Sequence, residues 1–531
     1  MKAFPVFFLF LLPLITIGQQ KDAWQTFYEK SDYLETPSYE ETISWCKMLD
    51  SASEQASYTR FGVSGRGLAL PLLIIDRDGY RSPSQIRRQG RIIMLVEACI
   101  HPGESEGKDA MMLLLRDMLI HGKDRAVLDS ISILFIPVFN VDGHERFGPY
   151  NRINQNGPKE MGWRVNAANL NLNRDFLKAD SPEMQYWLRM FNYWKPEFFI
   201  DCHTTDGADY QYVLTYALEI FGNMDQGLTQ WQKEVYLPYM EENMFAADFP
   251  VFPYVSFRSW HDPQSGLISN AGPPMLSQGY TALRNCPGLL IETHMLKPYK
   301  PRVESTCEII LLTAKKLAEK PSQLASLIEK ADKKCAEGDL LKQPFAVSFE
   351  TSLSDSVMTE FLGIEYDVVE SDLTGGKWYQ YKSGHKKTFT LPHFKNVIPK
   401  NEVLLPEAYI IPPEWTEVID RLKMHDISFF RLKEAENVDI EAYHFEGVRF
   451  ASAPYEGRQR VRDYKLITKK EERLFPAKSV IVPARQPNAR VVAWLLEPQA
   501  DGSLLEWGFF NAVFEQKEYA ESYSMEKIAR E

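Results

Sequence analysis

The segment Ala98-Cys99-Ile100-His101-Pro102-Gly103-Glu104-Ser105-Glu106-Gly107 sets an imidazole and a carboxylate three residues apart. The apolar, β-branched run 91–96 before it reads as a buried strand, and residues 108–119 after it carry apolar side chains at helical spacing. His101 and Glu104 therefore fall on a strand-to-helix turn, which can aim both at one point at the carboxyl end of a strand, where open α/β sheets place their ligands. Such a pair suits two of the three protein ligands of a catalytic zinc. Three more apolar runs end in polar groups: Phe139 precedes Asn140, Ile200-Asp201-Cys202 leads to His203, and Ile291 precedes Glu292. Carboxyl ends of neighbouring strands share one rim of a sheet, so two histidines and two glutamates are expected to converge there. These are residue types for metal binding and proton transfer.

Holding four such groups on one rim requires a sheet with long connections. From residue 68 onward strands and helices alternate: strands at 68–75, 91–100 and 130–138, helices at 108–119 and 182–194, then apolar runs at 198–200 and 288–291. This alternation predicts an α/β fold with helices on both faces of a mostly parallel sheet. Ser38 and Glu41, following Pro37, have the spacing of a capping box and start an earlier helix. Helices at 302–317 and 321–335 close the region. Beyond Glu337-Gly338-Asp339 the texture changes to short alternating runs, such as 364–369, 388–391, 479–482 and 490–496, broken by Pro and Gly. One βα piece interrupts them, with a strand at 409–411, a helix at 414–424 and a strand at 427–430. The expected organisation is a catalytic domain over 19–337 and a β-rich accessory domain over 340–531 with a small α/β insert.

Between the second and third of the polar-ended runs lies an Asn-rich stretch without helical or strand period: Trp163-Arg164-Val165-Asn166, then Asn169-Leu170-Asn171-Leu172-Asn173-Arg174-Asp175-Phe176. Long irregular loops inside compact α/β domains are usually functional. Arg164 and Arg174 would bring two guanidinium groups near the rim, which suits a carboxylate or a developing oxyanion.

At 531 residues the chain has room for two to four domains, and 44% hydrophobic with 13% aromatic residues supplies ample core. A net charge of −12 without a Lys/Arg tract argues against nucleic acid as a partner. Lys2, the apolar run 3–17 and Gly18 read as a signal peptide over 1–18, too short for a membrane span, so an exported protein is expected, periplasmic or extracellular. Six cysteines in so long a chain do not make a disulfide framework; Cys99 and Cys202, ending apolar runs, are expected to be buried small hydrophobes.

His101-Pro102-Gly103-Glu104, Trp163-Arg164, Asn173-Arg174, His203 and Glu292, in this order, resemble the zinc carboxypeptidases of the M14 family over about residues 40–320. Asn171-Leu172-Asn173-Arg174-Asp175-Phe176 and Leu289-Leu290-Ile291-Glu292-Thr293 are the most specific pieces. The resemblance implies an α/β/α sandwich around a mixed sheet and one zinc ion on His101, Glu104 and His203. It implies Glu292 as general base and acid, Arg164 as oxyanion partner, and Asn173 and Arg174 as binders of the substrate's terminal carboxylate. Tyr280 is the candidate for the family's substrate-covering tyrosine, with Tyr254 as the other choice. Two departures stand out. Gly103 replaces an arginine of the pancreatic-type members, and Asn171 replaces the aspartate that orients the first histidine ligand. The specificity pocket's floor is expected within 265–277.

The leading expectation is thus a secreted zinc carboxypeptidase acting on peptides with a free C-terminal carboxylate. A zinc deacylase, amidase or cell-wall peptide hydrolase on the same fold is the second, and a binding protein on a degenerate peptidase scaffold the third.

Overall fold

The computed structural model describes residues 23–260, 262–515, 517 and 525–528. The expected signal peptide at 1–18 lies outside them. The first part of the chain forms β1 (Ala56–Val63), β2 (Ala69–Ile75), β3 (Ile92–Glu97), β4 (Ile131–Ile136), β5 (Phe198–Thr205), β6 (Leu214–Ala217), β7 (Val251–Pro253), β8 (Ser256–Ser259), β9 (Asp262–Ile268) and β10 (Gly288–His294). Eight of these build one sheet in the order β1-β2-β4-β3-β5-β10-β6-β7. The middle strands β4, β3, β5 and β10 are parallel neighbours, with antiparallel pairings on both flanks. The fold is α/β around a mixed sheet, as expected.

The β3 and β4 segments are apolar at every position but Glu97 and Ser132 because both faces of the sheet are covered. Successive side chains of β3 alternate between two cores. Ile93 and Leu95 pack with Trp187, Leu188 and Phe191 of the helix Pro182–Trp194. Ile92, Met94 and Val96 pack with Met111 and Leu115 of the helix Glu106–Leu119 and Ile309 of the helix Tyr299–Glu319. Gly107 lets the helix Glu106–Leu119 approach β5 closely, since a Cβ there would run into the Cys202 side chain. The helix Tyr39–Ala52 starts with the predicted capping box of Ser38 and Glu41.

The remainder forms β11 (Phe345–Thr351), β12 (Val357–Glu370), β13 (Lys377–Phe394), β14 (Val397–Val403), β15 (Ala408–Ile411), β16 (Phe430–Arg431), β17 (Glu436–Phe450), β18 (Val461–Phe475), β19 (Val480–Pro483) and β20 (Met525–Ile528). They make a β11-β14 pair, a β12-β13-β9-β8 sheet and a six-stranded sheet β16-β19-β15-β20-β17-β18. Two features differ from the sequence reading. The runs expected to be short belong to long hairpins, with 14 and 18 residues in β12 and β13 and 15 in each of β17 and β18. The outer half of the β12–β13 hairpin stands in solvent and carries Lys, Glu and Tyr, so apolar signal survives only where its strands meet a core, as at Phe361, Ile364, Phe389 and Leu391. Residues 490–496 are helical, within Ala489–Leu496, and all eight residues of that helix are buried. A helix without a polar face has no period to read.

Both parts of the chain share one hydrophobic cluster, in which Val418, Leu422, Val491 and Leu495 join Trp187 and Phe191. Beside it lies a charged junction. Asp180 accepts from Arg458 Nε and Nη2, both at 2.7 Å, and from Arg421 Nη2 at 2.9 Å, with the fully buried Lys178 Nζ at 3.3 Å. Burial opposes the Asp180 charge, but Arg458, Lys178 and Arg421 outweigh it and hold its pKa down to about 2. A folded-state pKa below the unfolded value contributes stability that is present above about pH 4 and lost as pH falls toward 2, here about 2 kcal/mol. Asp180→Asn, which leaves these cations uncompensated, is expected to cost about 3 kcal/mol at pH 7. It should also flatten the loss of stability between pH 4 and pH 2. Denaturant midpoints of both proteins at pH 7 and pH 3 check this.

Candidate metal centre and cleft

The parallel register of the middle strands brings the polar-ended runs together. Glu292 on β10 pairs with His203 on β5, and Asp201 on β5 pairs with Glu97 on β3. The chain leaving β3 turns through Cys99, whose φ of +57° is left-handed, and delivers His101 and Glu104 to the same rim. Three donor atoms then form a triangle: His101 Nδ1 to Glu104 Oε2 3.2 Å, His203 Nδ1 to Glu104 Oε2 3.0 Å, and His203 Nδ1 to His101 Nδ1 3.3 Å. Ligands about 2.1 Å from a tetrahedral zinc stand about 3.4 Å apart, so this triangle is close to one face of such a site. Among the described residues these three form the one such group.

The back of each ring is occupied. His101 Nε2 lies 2.9 Å from Asn171 Oδ1, and His203 Nε2 lies 2.7 Å from Asp201 Oδ2. Both contacts call for a proton on Nε2, which leaves a lone pair on each Nδ1 facing a carboxylate oxygen. Three electron-rich atoms within 3.3 Å of one another need a cation between them. The electrostatics agree. Burial disfavours charge on His203, yet Asp201 and Glu104 override it and push its pKa up. Burial likewise opposes the Glu104 charge, but His101 and Arg152 outweigh it and hold its carboxyl far below the usual range. For His101 burial dominates and brings the pKa down to about 4. The donor set fits a zinc ion.

Glu104 is fixed on its other side too. Its Oε1 accepts from Arg152 Nη1 at 2.5 Å and lies 3.3 Å from Arg164 Nη1, and its Oε2 accepts the Thr204 N–H at 3.0 Å. Arg152 was not singled out from sequence because its loop has no period and no motif. The one signal was Gly103: a Cβ at that position would run into the Arg152 side chain, so the small residue makes room for this cation. Asp201 was missed as well, although it precedes His203 by two and so shares its face of β5.

His101, Glu104, His203, Arg152 and Arg164 line one cleft of about 550 Å³, with Glu292, Asn173, Arg174 and Tyr254 on its walls. Burial pushes the Glu292 carboxyl up to about 8, with Glu104 adding to it and His203 and Arg152 opposing. Arg164 is half-exposed at the mouth. Asn173 is buried, its Oδ1 accepting the Ser277 N–H at 3.0 Å, and Arg174 donates from Nη1 to Asn173 O at 2.6 Å and from Nε to Tyr455 Oη at 3.1 Å. Leu276 is the residue of 265–277 that reaches the cleft, and Gln278 and Leu290 continue its wall.

Tyr280 is not brought to the site. It is fully buried, packed against Phe176, Trp187 and Phe191, with its hydroxyl 2.9 Å from His425 Nδ1 and 3.0 Å from Arg284 Nη1. Seven consecutive residues, Ser277–Leu283, form a short helix buried throughout, and the hydroxyl's need for a partner is met inside the core. Tyr254, the other choice, stands on the cleft wall, its hydroxyl 3.3 Å from Thr205 Oγ1 and raised in pKa chiefly by the Glu292 carboxylate. His294 faces away, bonded to Ala208 O at 2.8 Å. Cys99 and Cys202 are buried free thiols, as expected.

Residues 42–209 match the family model described as zinc carboxypeptidase. That stretch contains His101, Glu104, Arg164, Asn173, Arg174 and His203 but ends before Glu292. Among relatives, "Carboxypeptidase 2" of Trichophyton rubrum is 22% identical over 498 residues, covering 90% of this chain and 85% of that protein. "Carboxypeptidase 2" of Trichophyton tonsurans is 22% identical over 501 residues, with the same coverage of 90% and 85%. Among solved structures, a metallo-carboxypeptidase from Pseudomonas aeruginosa in complex with (2-guanidinoethylmercapto)succinic acid superposes over 54% of this chain and 70% of its own, at 18% identity and a TM-score of 0.38.

Proposed function

Because the chain belongs to the zinc carboxypeptidase family, we propose that it removes single residues from the C-terminus of peptides at a zinc held by His101, Glu104 and His203. The observation that carries this reading is the juxtaposition in one cleft of the three-donor triangle, a second carboxylate at Glu292 and the Asn173-Arg174 pair. When bound, the ion supplies a Lewis acid that lowers the pKa of water to about 7 and polarises the scissile carbonyl.

The remaining work falls to side chains. Glu292, beside His203 in register and on the wall of the same cleft, takes the attacking water's proton and hands it to the departing amine. Arg164, at the cleft mouth beside Glu104, faces the carbonyl oxygen as it gains charge, a contribution of about 3 kcal/mol for a preorganised donor. Arg174 and Asn173 bind the terminal carboxylate. Tyr254 closes over the substrate, in place of Tyr280. We take residues 19–337 as the catalytic domain and 340–531 as a β-rich accessory domain. Every residue of the proposed chemistry falls in the first, while the β9–β13 pairing and the shared hydrophobic cluster join the two. No helix among the described residues is long and apolar enough to cross a membrane, and we infer export from the apolar N-terminal run.

The test is a matched pair of peptides, one ending in a free carboxylate and one in an amide. The zinc-loaded protein should release the last residue from the first only. Arg174→Ala should raise KM for the free acid roughly 10- to 100-fold, the size of a lost charge-assisted contact, and leave kcat within a few-fold. Equal cleavage of acid and amide would contradict the reading.

A further inference from the structure

The carboxylate-binding arginine is held from the far end of the chain. The β17–β18 hairpin closes in a tight turn in which Tyr455 and Arg458 exchange backbone hydrogen bonds at 2.9 and 3.0 Å. Glu456 and Gly457 between them have φ of +49° and +78°. Positive φ at both central positions is the geometry of a two-residue type I′ hairpin loop, which glycine adopts freely and glutamate does not. A strained non-glycine residue persists where its surroundings fix it. Here the surroundings are the Asn-rich loop. Glu456 Oε2 accepts the Asn171 N–H at 2.7 Å, Tyr455 Oη accepts from Arg174 Nε at 3.1 Å, and Arg458 holds Asp180 through two bonds at 2.7 Å. A Cβ at Gly457 would crowd the Leu170 side chain. Three side-chain anchors, from Tyr455, Glu456 and Arg458, thus land along 171–180, on Arg174 and on either side of it. The Tyr455 ring is itself stacked on Trp507 at 6.0 Å and 10°, so its hydroxyl is presented from a fixed platform.

We propose that this turn is a built part of the substrate site, and that Tyr455 is a positioning residue that sets the Arg174 guanidinium for the substrate's terminal carboxylate. The proposal rests on the carboxypeptidase reading for the identity of that ligand. With Nε on Tyr455 and Nη1 on Asn173 O, two of the three guanidinium nitrogens are tied down, leaving Nη2 for the ligand; among the described residues it has no protein partner. Removing the hydroxyl frees the group to rotate, so an ordering cost would appear on substrate binding.

Tyr455→Phe retains the ring, the Trp507 stack and the turn. The probes are N-acetyl dipeptides ending in a carboxylate and their C-terminal amides, with binding measured by calorimetry on zinc-loaded protein and KM measured alongside. Wild type should prefer the acid. Tyr455→Phe should reduce that preference and raise KM about 10-fold, with kcat, zinc content and melting temperature unchanged. In the Arg174→Ala background Tyr455→Phe should add nothing, because it acts through that arginine. An unchanged acid-to-amide ratio in Tyr455→Phe, or an equal loss in the Arg174→Ala background, would overturn the proposal. Acid preference in a wild type that cleaves none of the peptides would sink the hydrolytic reading while leaving the turn's role standing. No preference in wild type would overturn both.

Discussion

Glu292→Ala is expected to stop hydrolysis while leaving the metal in place, with kcat falling on the order of 10⁴-fold, the upper end of the range for a positioned acid–base group. An effect that large is expected because the proposed mechanism uses the same carboxylate twice, once on the attacking water and once on the leaving amine. Glu292 is adjacent to His203 in register but outside the donor triangle, so its loss takes no metal ligand away. Steady-state kinetics and zinc content on the same preparation check this. Glu292→Gln, which keeps the shape but cannot take a proton, should fall nearly as far. A variant with full zinc and more than a tenth of wild-type kcat would assign the proton transfer to another group.

The second large effect is loss of the ion. A chelator should abolish activity and zinc should restore it. His203→Ala should lower zinc affinity by far more than the 10- to 100-fold typical of losing an outer partner, and Asp201→Asn, which alters only the carboxylate behind His203, should fall within that smaller range. The contrast between the two variants separates the direct contact from its support. Since ion binding favours the folded state, excess zinc should raise the wild-type melting temperature and leave His203→Ala nearly unmoved. Equal zinc affinity in wild type and His203→Ala would place the ion elsewhere.

How much of this could be read from the chain alone follows from which signals are local. The runs that lead to His101, His203 and Glu292 are apolar and buried in the sheet, so each announced itself and each gave way to its polar group. The turn after β3 was legible for the same reason. What failed depended on contacts between distant segments. Arg152 reaches Glu104 across 48 residues and Tyr455 reaches Arg174 across 281, and nothing in either neighbourhood marks the pairing. Tyr280 followed the order of the motif, but its helix is buried on all sides and its hydroxyl is satisfied by His425 and Arg284. The long hairpins were misjudged because strands that leave the core lose the alternation that identifies strands. The helix Ala489–Leu496 was misjudged because complete burial erases the amphipathic pattern.

Mass spectrometry of a mixed peptide library, incubated with zinc-loaded protein and with Glu292→Ala, tests the central claim most directly. The account predicts products shortened by single residues from the C-terminus, absent with Glu292→Ala and with chelator, and the released residues would report the preference of the pocket walled by Leu276, Gln278 and Leu290. Cleavage within the peptides, or release of N-acyl groups with the C-termini intact, would contradict it.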